Sequence, residues 1–232
     1  MKKVSLLSLL TVLAISTGAK ANVENPLYAP SEGKFYSKTE AGYSDKDWKF
    51  AEKFGYGITN RFNIAGTVDY YLNDDEFVED GFGSFKLDAG YRLNGGNVKT
   101  DLYASYATDI DEDVMGNYYS YEAGLKVGTI KNKYTLAGKL GWQYIDEDDD
   151  LDSHNFIVGA EGVYQFDDRV SGQLGVEYTL VDEVGFIAVE DTVQLRAQVN
   201  YLKGGLWSIF YTTELKADDI EDTVGLKYGI QF

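Results

Sequence analysis

Few residues of this chain are equipped for covalent chemistry. There is no cysteine, which excludes thiol nucleophiles, thiolate metal sites and disulfides, and there is a single histidine. That residue, His154, follows Ser153, and a serine beside a histidine suggests a nucleophile and its base. On an extended strand, however, adjacent side chains point to opposite faces, and no glycine-rich nucleophile turn surrounds the serine. Catalysis is not expected and no cofactor is implied; His154 reads as a loop residue or a pH-sensitive member of an acidic rim.

The remaining chemistry is that of charge, and it falls into two sets. Segments 45–47, 74–80, 109–113, 146–152, 182–191 and 218–222 hold 25 of the 38 acidic residues against one base, Lys46. The simplest reading is a solvated rim. Asp146, Asp148, Asp149 and Asp150 also offer the hard oxygen ligands that a divalent cation prefers. Asp109, Asp111 and Asp113 have the opening spacing of a calcium loop, but Val114 occupies the place of the sharp-turn glycine, so no EF-hand is expected. The same negative charge argues against nucleic acid as a partner. The second set is Lys38, Lys53, Asp88, Glu122, Lys139, Glu161, Glu177, Arg196 and Lys227, each on the polar side of an alternating segment. Rings of such charges select ions where they line a pore.

Both sets must be positioned by strands. In Val193–Tyr201, Val, Leu, Ala, Val and Tyr alternate with Gln, Arg, Gln and Asn; in Val224–Phe232, one face is wholly apolar. Twelve such segments are expected at 33–44, 47–58, 62–72, 83–93, 98–109, 117–128, 133–145, 154–166, 170–181, 191–201, 206–216 and 222–232. Connections alternate between short turns, such as Thr59-Asn60-Arg61 and Lys203-Gly204-Gly205, and longer acidic ones. Met1-Lys2-Lys3, an apolar run over Val4–Ser16 and Ala19-Lys20-Ala21 read as a secretory signal peptide cleaved after about Ala21. Its removal takes three lysines and moves the net charge from −17 to −20. Residues 22–32, which hold both prolines, read as a periplasmic lead-in segment, with a plug as its second reading, and 33–232 as the barrel.

Alternation alone also fits a soluble sandwich with its apolar face inside. The export signal, the alternating loop lengths and aromatic residues at strand ends (Trp48, Tyr70, Tyr91, Tyr106, Tyr144, Tyr178, Tyr201, Trp207) favour the membrane. The fold expected is an all-β, antiparallel up-and-down transmembrane barrel of about twelve strands, with short periplasmic turns and acidic extracellular loops. A final Phe232, with apolar residues two, four, six and eight places before it, resembles the assembly signal of Gram-negative outer-membrane barrels. Tyr56-Gly57-Ile58-Thr59-Asn60-Arg61-Phe62-Asn63-Ile64 and Asn25-Pro26-Leu27-Tyr28 resemble segments of small proteobacterial porin-like outer-membrane proteins. The resemblance implies the cell outer membrane, its lipids and lipopolysaccharide, and the barrel-assembly machinery as surroundings.

The function expected is a narrow channel for small hydrophilic solutes or ions. Lys38, Lys53 and Lys227, extended by Arg196, should form one wall, facing Asp88, Glu122, Glu161 and Glu177 with Lys139 among them. The alternative is a filled structural or adhesion-type barrel whose acidic loops bind divalent cations or lipopolysaccharide, since twelve strands lie between filled and open barrels. Glu52 departs from the pattern: it shares the lipid-facing side with Trp48, Phe50, Phe54 and Tyr56, and a bulge or a partner subunit would be needed to accommodate it.

Overall fold

A computed structural model describes residues 22–44, 47–72, 80–111, 114, 118–147, 151–182, 191–217 and 219–232. Twelve strands follow one another: β1 (Phe35–Ser44), β2 (Asp47–Gly57), β3 (Phe62–Leu72), β4 (Gly81–Gly95), β5 (Val98–Asp109), β6 (Tyr118–Lys131), β7 (Tyr134–Glu147), β8 (Leu151–Gln165), β9 (Val170–Asp182), β10 (Thr192–Leu202), β11 (Leu206–Leu215) and β12 (Ile220–Gln231). Each pairs antiparallel with the next, and β12 returns to β1, so the sheet is a closed barrel. The seam ends at Phe35 and Phe232, whose backbones exchange two hydrogen bonds of 2.9 Å. Their rings stack with centroids 6.0 Å apart.

Which face points outward separates a membrane barrel from a soluble one. On β10, Leu195, Val199 and Tyr201 are exposed, while Gln198 and Asn200 are buried, Asn200 completely. Leu174 at 68% and Ile209 at 62% exposure stand on the outside. A soluble sandwich would invert this arrangement, so the apolar belt is a lipid-facing surface. Aromatic pairs border it at both ends: Tyr43 with Trp48 and Tyr106 with Tyr121 at the loop end, and Tyr134 with Tyr164 and Trp207 with Tyr228 at the turn end. These are the girdles expected at the two interfaces.

The short turns have local causes. Between β6 and β7 only Asn132 and Lys133 remain, and Asn132 adopts φ 52°, a value that asparagine tolerates in tight hairpins. Between β8 and β9, Asp167 Oδ1 accepts hydrogen bonds from the backbone N–H groups of Arg169 and Val170, at 2.7 and 2.9 Å.

Glu52 is accommodated without the expected bulge. The register between β1 and β2, and between β2 and β3, runs unbroken through it, so no bulge redirects the side chain. Its carboxyl group instead takes hydrogen bonds from Ser37 Oγ at 2.6 Å and Thr39 Oγ1 at 2.5 Å, both on the same face of β1. Two hydroxyls replace the water that lipid cannot supply. Replacing Ser37 by Ala and Thr39 by Val together should lower stability by about 1–3 kcal/mol, because a buried acceptor is left unsatisfied. Glu52→Leu in the wild-type background should be neutral or stabilising. Equilibrium urea unfolding in lipid vesicles measures both, and equal losses from the two variants would contradict the hydroxyl clamp.

Candidate functional site in the lumen

All nine charged residues expected at the pore lie on the inner face, but the two segregated walls do not form. Strands in a barrel are tilted, so inward side chains of strands two apart come into reach. Lys53 on β2 ion-pairs with Asp88 on β4. Lys86 on β4 lies between Asp88 at 4.0 Å and Glu122 on β6 at 3.8 Å. Lys139 on β7 bridges Glu122 at 2.9 Å and Glu177 on β9 at 3.0 Å. Lys227 pairs with Glu40, its direct partner across the β12–β1 seam, and Gln173 donates to Glu161. Bases and acids therefore alternate around the circumference, which corrects the expectation of a basic wall opposite an acidic one.

Aromatic side chains fill part of the section. Tyr103 lies where β6 and β7 carry Gly124 and Gly141; a Cβ at either would stand 2.5 or 2.4 Å from its hydroxyl oxygen. Those glycines open the niche, and the hydroxyl donates to Glu122 at 2.9 Å. Phe210 on β11 is buried inside, with the Lys227 ammonium 4.6 Å and the Arg196 guanidinium 5.5 Å from its ring centre. Phe210 has the parity of an inward residue, but nothing in its local sequence sets it apart as a lumen group.

The chain ahead of β1 also enters the barrel. Val23 packs with Tyr36, Ala65 and Leu206. It occupies the space left by Gly229, where a Cβ would lie 2.3 Å from its Cγ2. Asn25 Nδ2 donates to Thr135 Oγ1 at 2.9 Å on β7, six strands round the ring from β1. Arg92 holds Asp101 through two bonds of 2.7 Å and the Leu27 carbonyl at 2.8 Å. Glu24 lies beside Lys38 at 3.0 Å and Arg196 at 3.9 Å. Residues 22–29 thus cross the lumen instead of standing below it.

Two cavities adjoin this segment, and Pro26 lines both. One of about 330 Å³ is bounded by Lys38, Lys53, Asp88, Asp101 and Lys126, among others. The other, about 160 Å³, lies against Lys139, Glu161, Glu177 and Arg196. At roughly 30 Å³ per water, the first holds about ten.

The remaining candidates lie elsewhere. Among the described residues, no three carboxylates or histidines are grouped as metal ligands. Asp146 is at the end of β7 opposite Asp152, and Asp148, Asp149 and Asp150 lie outside the described residues. His154 belongs to β8 rather than to a loop, directly opposite Asp182 and next to the Asp146–Asp152 pair at the edge of the acidic loops. Its ring lies 5.7 Å from that of Trp142 and 5.2 Å from that of Tyr144, within the outer girdle. Ser153 opposes Ile145 on the other face.

No protein-family model and no curated protein matches the chain. Solved structures do. The NanC porin is similar over 84% of this chain and 98% of its own, with a TM-score of 0.66 at 6% identity. An outer-membrane channel from Pseudomonas putida F1 covers 92% and 100%, with 0.65 at 12%. The KdgM porin in complex with disordered oligogalacturonate covers 83% and 98%, with 0.60 at 11%. At these identities the likeness is one of fold. The fold that this chain shares with these outer-membrane channels is a closed, twelve-stranded antiparallel barrel.

The bridging position of Lys139 predicts a measurable coupling. Lys139→Met should destabilise the barrel by about 1–3 kcal/mol, since Glu122 and Glu177 lose their shared partner in a partly hydrated interior. A double-mutant cycle with Glu122→Gln should then show non-additivity, and additive losses would mean that the bridge carries no energy.

Proposed function

We propose that the barrel is a narrow channel for passive diffusion of small hydrophilic solutes or ions across the outer membrane, and not an enzyme. The observation that carries this reading is the wet, charged interior. A structural barrel would fill its centre with packed side chains and leave no continuous wet space, as barrels of about eight strands do. Here the inner wall carries a ladder of charges beside a cavity of about 330 Å³. The chemistry needed is only desolvation and guidance. Polar wall groups replace part of a solute's hydration shell, and interleaved charges offer successive weak contacts for either sign of ion. Against catalysis stands His154, set among girdle rings with Ser153 on the opposite face.

The acidic loops belong to the same reading. Concentrated negative charge at the outer mouth should repel anions at low salt, over a Debye length of about 10 Å at 0.1 M. Charge pairs inside are less exposed to that screening. Lipid and lipopolysaccharide would contact the outer belt, the barrel-assembly machinery would insert the chain, and divalent cations at the 146–152 loop would bridge its carboxylates to lipopolysaccharide phosphates.

Planar-bilayer recording tests the channel. Purified barrel should give small, stable conductance steps with weak cation preference at low salt. Lys53→Glu combined with Lys86→Glu places two new carboxylates beside Asp88 and should shift the reversal potential strongly toward cations. A folded barrel without conductance favours the filled structural alternative. A reversal potential indifferent to the double substitution would place the ion path away from the β2–β4 wall.

A further inference from the structure

Glu24 is the segment's charged contact with the barrel. Its side chain is only 7% exposed, and it faces Lys38 at 3.0 Å, Arg196 at 3.9 Å and the Gln198 amide at 3.5 Å. Gln173 donates to its backbone carbonyl at 3.3 Å. Lys227 contributes a third positive charge to this corner, and Glu40 stands beside that lysine. Glu161 lies across Gly175 from Arg196 and accepts from the same Gln173 amide, so the three cations of this corner are matched by Glu24, Glu40 and Glu161. The Arg196 Nε–H is buried and donates to no group among the described residues. The site binds one carboxylate from the chain itself and has a donor to spare.

The segment's mode of attachment matters as much. None of residues 22–29 joins the sheet; side-chain contacts hold them, and turns closed by Asn22 and Asn25 keep them compact. Behind them the backbone is tied to the barrel, Gly33 N–H to the Gly57 carbonyl at 2.8 Å and Gly57 N–H to the Lys34 carbonyl at 3.0 Å. Gly33 has φ 74°, a conformation suited to a hinge. A segment fixed at one end, and otherwise held by side chains in a wet lumen, belongs to the low-stability part of a fold.

We propose that Lys38, Arg196 and Lys227 form a carboxylate-binding site that the chain fills with its own Glu24, so that residues 22–29 close the lumen and yield to a small organic carboxylate competing for that site. The proposal rests on the channel reading above. Glu24 is an internal ligand whose release swings the segment about Gly33 and joins the two cavities that Pro26 borders.

The pH dependence follows from the groups around Glu24: Tyr36, Lys38 and Glu40 on β1, Lys227 on β12, Arg196 on β10 and, through Gln173, Glu161 on β8. Burial pushes the Glu24 carboxyl up, but the charges of Lys38, Lys227 and Arg196 outweigh it and hold the group at about 2. A carboxylate with a depressed value stabilises its seat fully above the ordinary range near 4.5, and loses that contribution as pH falls toward about 2. The lumen should therefore stay closed at neutral pH and open progressively below about pH 4.

Recordings on the full chain purified from outer membranes decide the matter, with heat-modifiable mobility confirming that each variant is folded. Glu24→Gln should raise the ratio of open to closed time about 5- to 30-fold and remove its acid dependence. Deletion of residues 22–29 should give a continuously open and larger conductance. Replacing chloride by acetate at constant ionic strength should open the wild type and leave Glu24→Gln unchanged. Independently of the deletion and its folding, Val23→Cys with Gly229→Cys gives a second test in a chain that has no cysteine of its own. The disulfide should hold the lumen closed until a reductant is added. If the wild type, Glu24→Gln and the deletion conduct alike, or the disulfide leaves conductance unaltered, the plug is overturned and the channel stands. If acetate has no effect while Glu24→Gln opens, displacement by carboxylates is overturned. If not even the folded deletion variant conducts, the channel reading falls and takes this proposal with it.

Discussion

Closure of the sheet between β1 and β12 is the constraint on which everything else depends. Hydrocarbon offers no partner for a backbone N–H or C=O, so a strand can cross a membrane only if both of its edges are paired. Eleven of the ladders join neighbours in sequence, but the β1–β12 ladder joins residues nearly two hundred positions apart. It is also the seam where the sequence makes its compromises. Gly42 faces Gly225 and Lys38 faces Gly229, small residues that leave room inside for Phe210 and Val23. Glu52 lies one strand away, and its two hydroxyl partners belong to β1. The strand that closes the barrel therefore also solves the problem of a lipid-facing acid and borders the Glu24 site.

Once closed, the sheet determines which charges meet. Its register sets Lys38 directly opposite Lys53, and Lys126 directly opposite Lys139. Like charges facing each other across a ladder are unfavourable. The structure resolves both by sending the side chains to different partners. Lys53 goes to Asp88 and Lys38 to Glu24, while Lys139 goes to Glu122 and Glu177, and Lys126 lies 5.4 Å from the centre of the Tyr103 ring. An interior selected only for stability has no need of opposed lysines. Their presence, with neutralisation arranged at second hand, fits a wall that handles charged species.

The faces of the strands were legible because alternation has one physical cause, and a barrel in lipid displays it unbroken from Val193 to Tyr201 on β10. Strand ends were less legible where the ladder outruns the apolar belt. β7 and β8 stay paired through Asp146 and Asp152 to Glu147 and Leu151, beyond where hydrophobicity stops. β6 continues to Lys131 because the turn behind it needs only Asn132 and Lys133. The inward parity of all nine candidate residues could be read, but their partners could not. Which acid meets Lys53 depends on strand tilt and register, and neither is written in the local pattern of β2 or β4. The ring contacts of His154 were hidden for a related reason, since its stacking on Trp142 and Tyr144 requires knowing that β8 runs beside β7.

The segment before β1 marks the limit of periodic reading most sharply. Asn25-Pro26-Leu27-Tyr28 has no alternation, and so gives no sign of where it packs. Each residue nevertheless has a distinct place: Asn25 spans to β7, Pro26 borders both cavities, Leu27 is fully buried, and Tyr28 meets Tyr36 edge-on at 5.4 Å. Burying this stretch costs backbone freedom, which contacts made only inside a finished barrel must repay. The segment must then fold last, after β12 has met β1, because its seat is formed by residues of β1, β10 and β12 together. A structure added after closure, and held by groups that closure brings together, can also leave without disturbing the sheet. That separation is what permits the lumen to change state while the lipid-facing wall stays fully hydrogen-bonded.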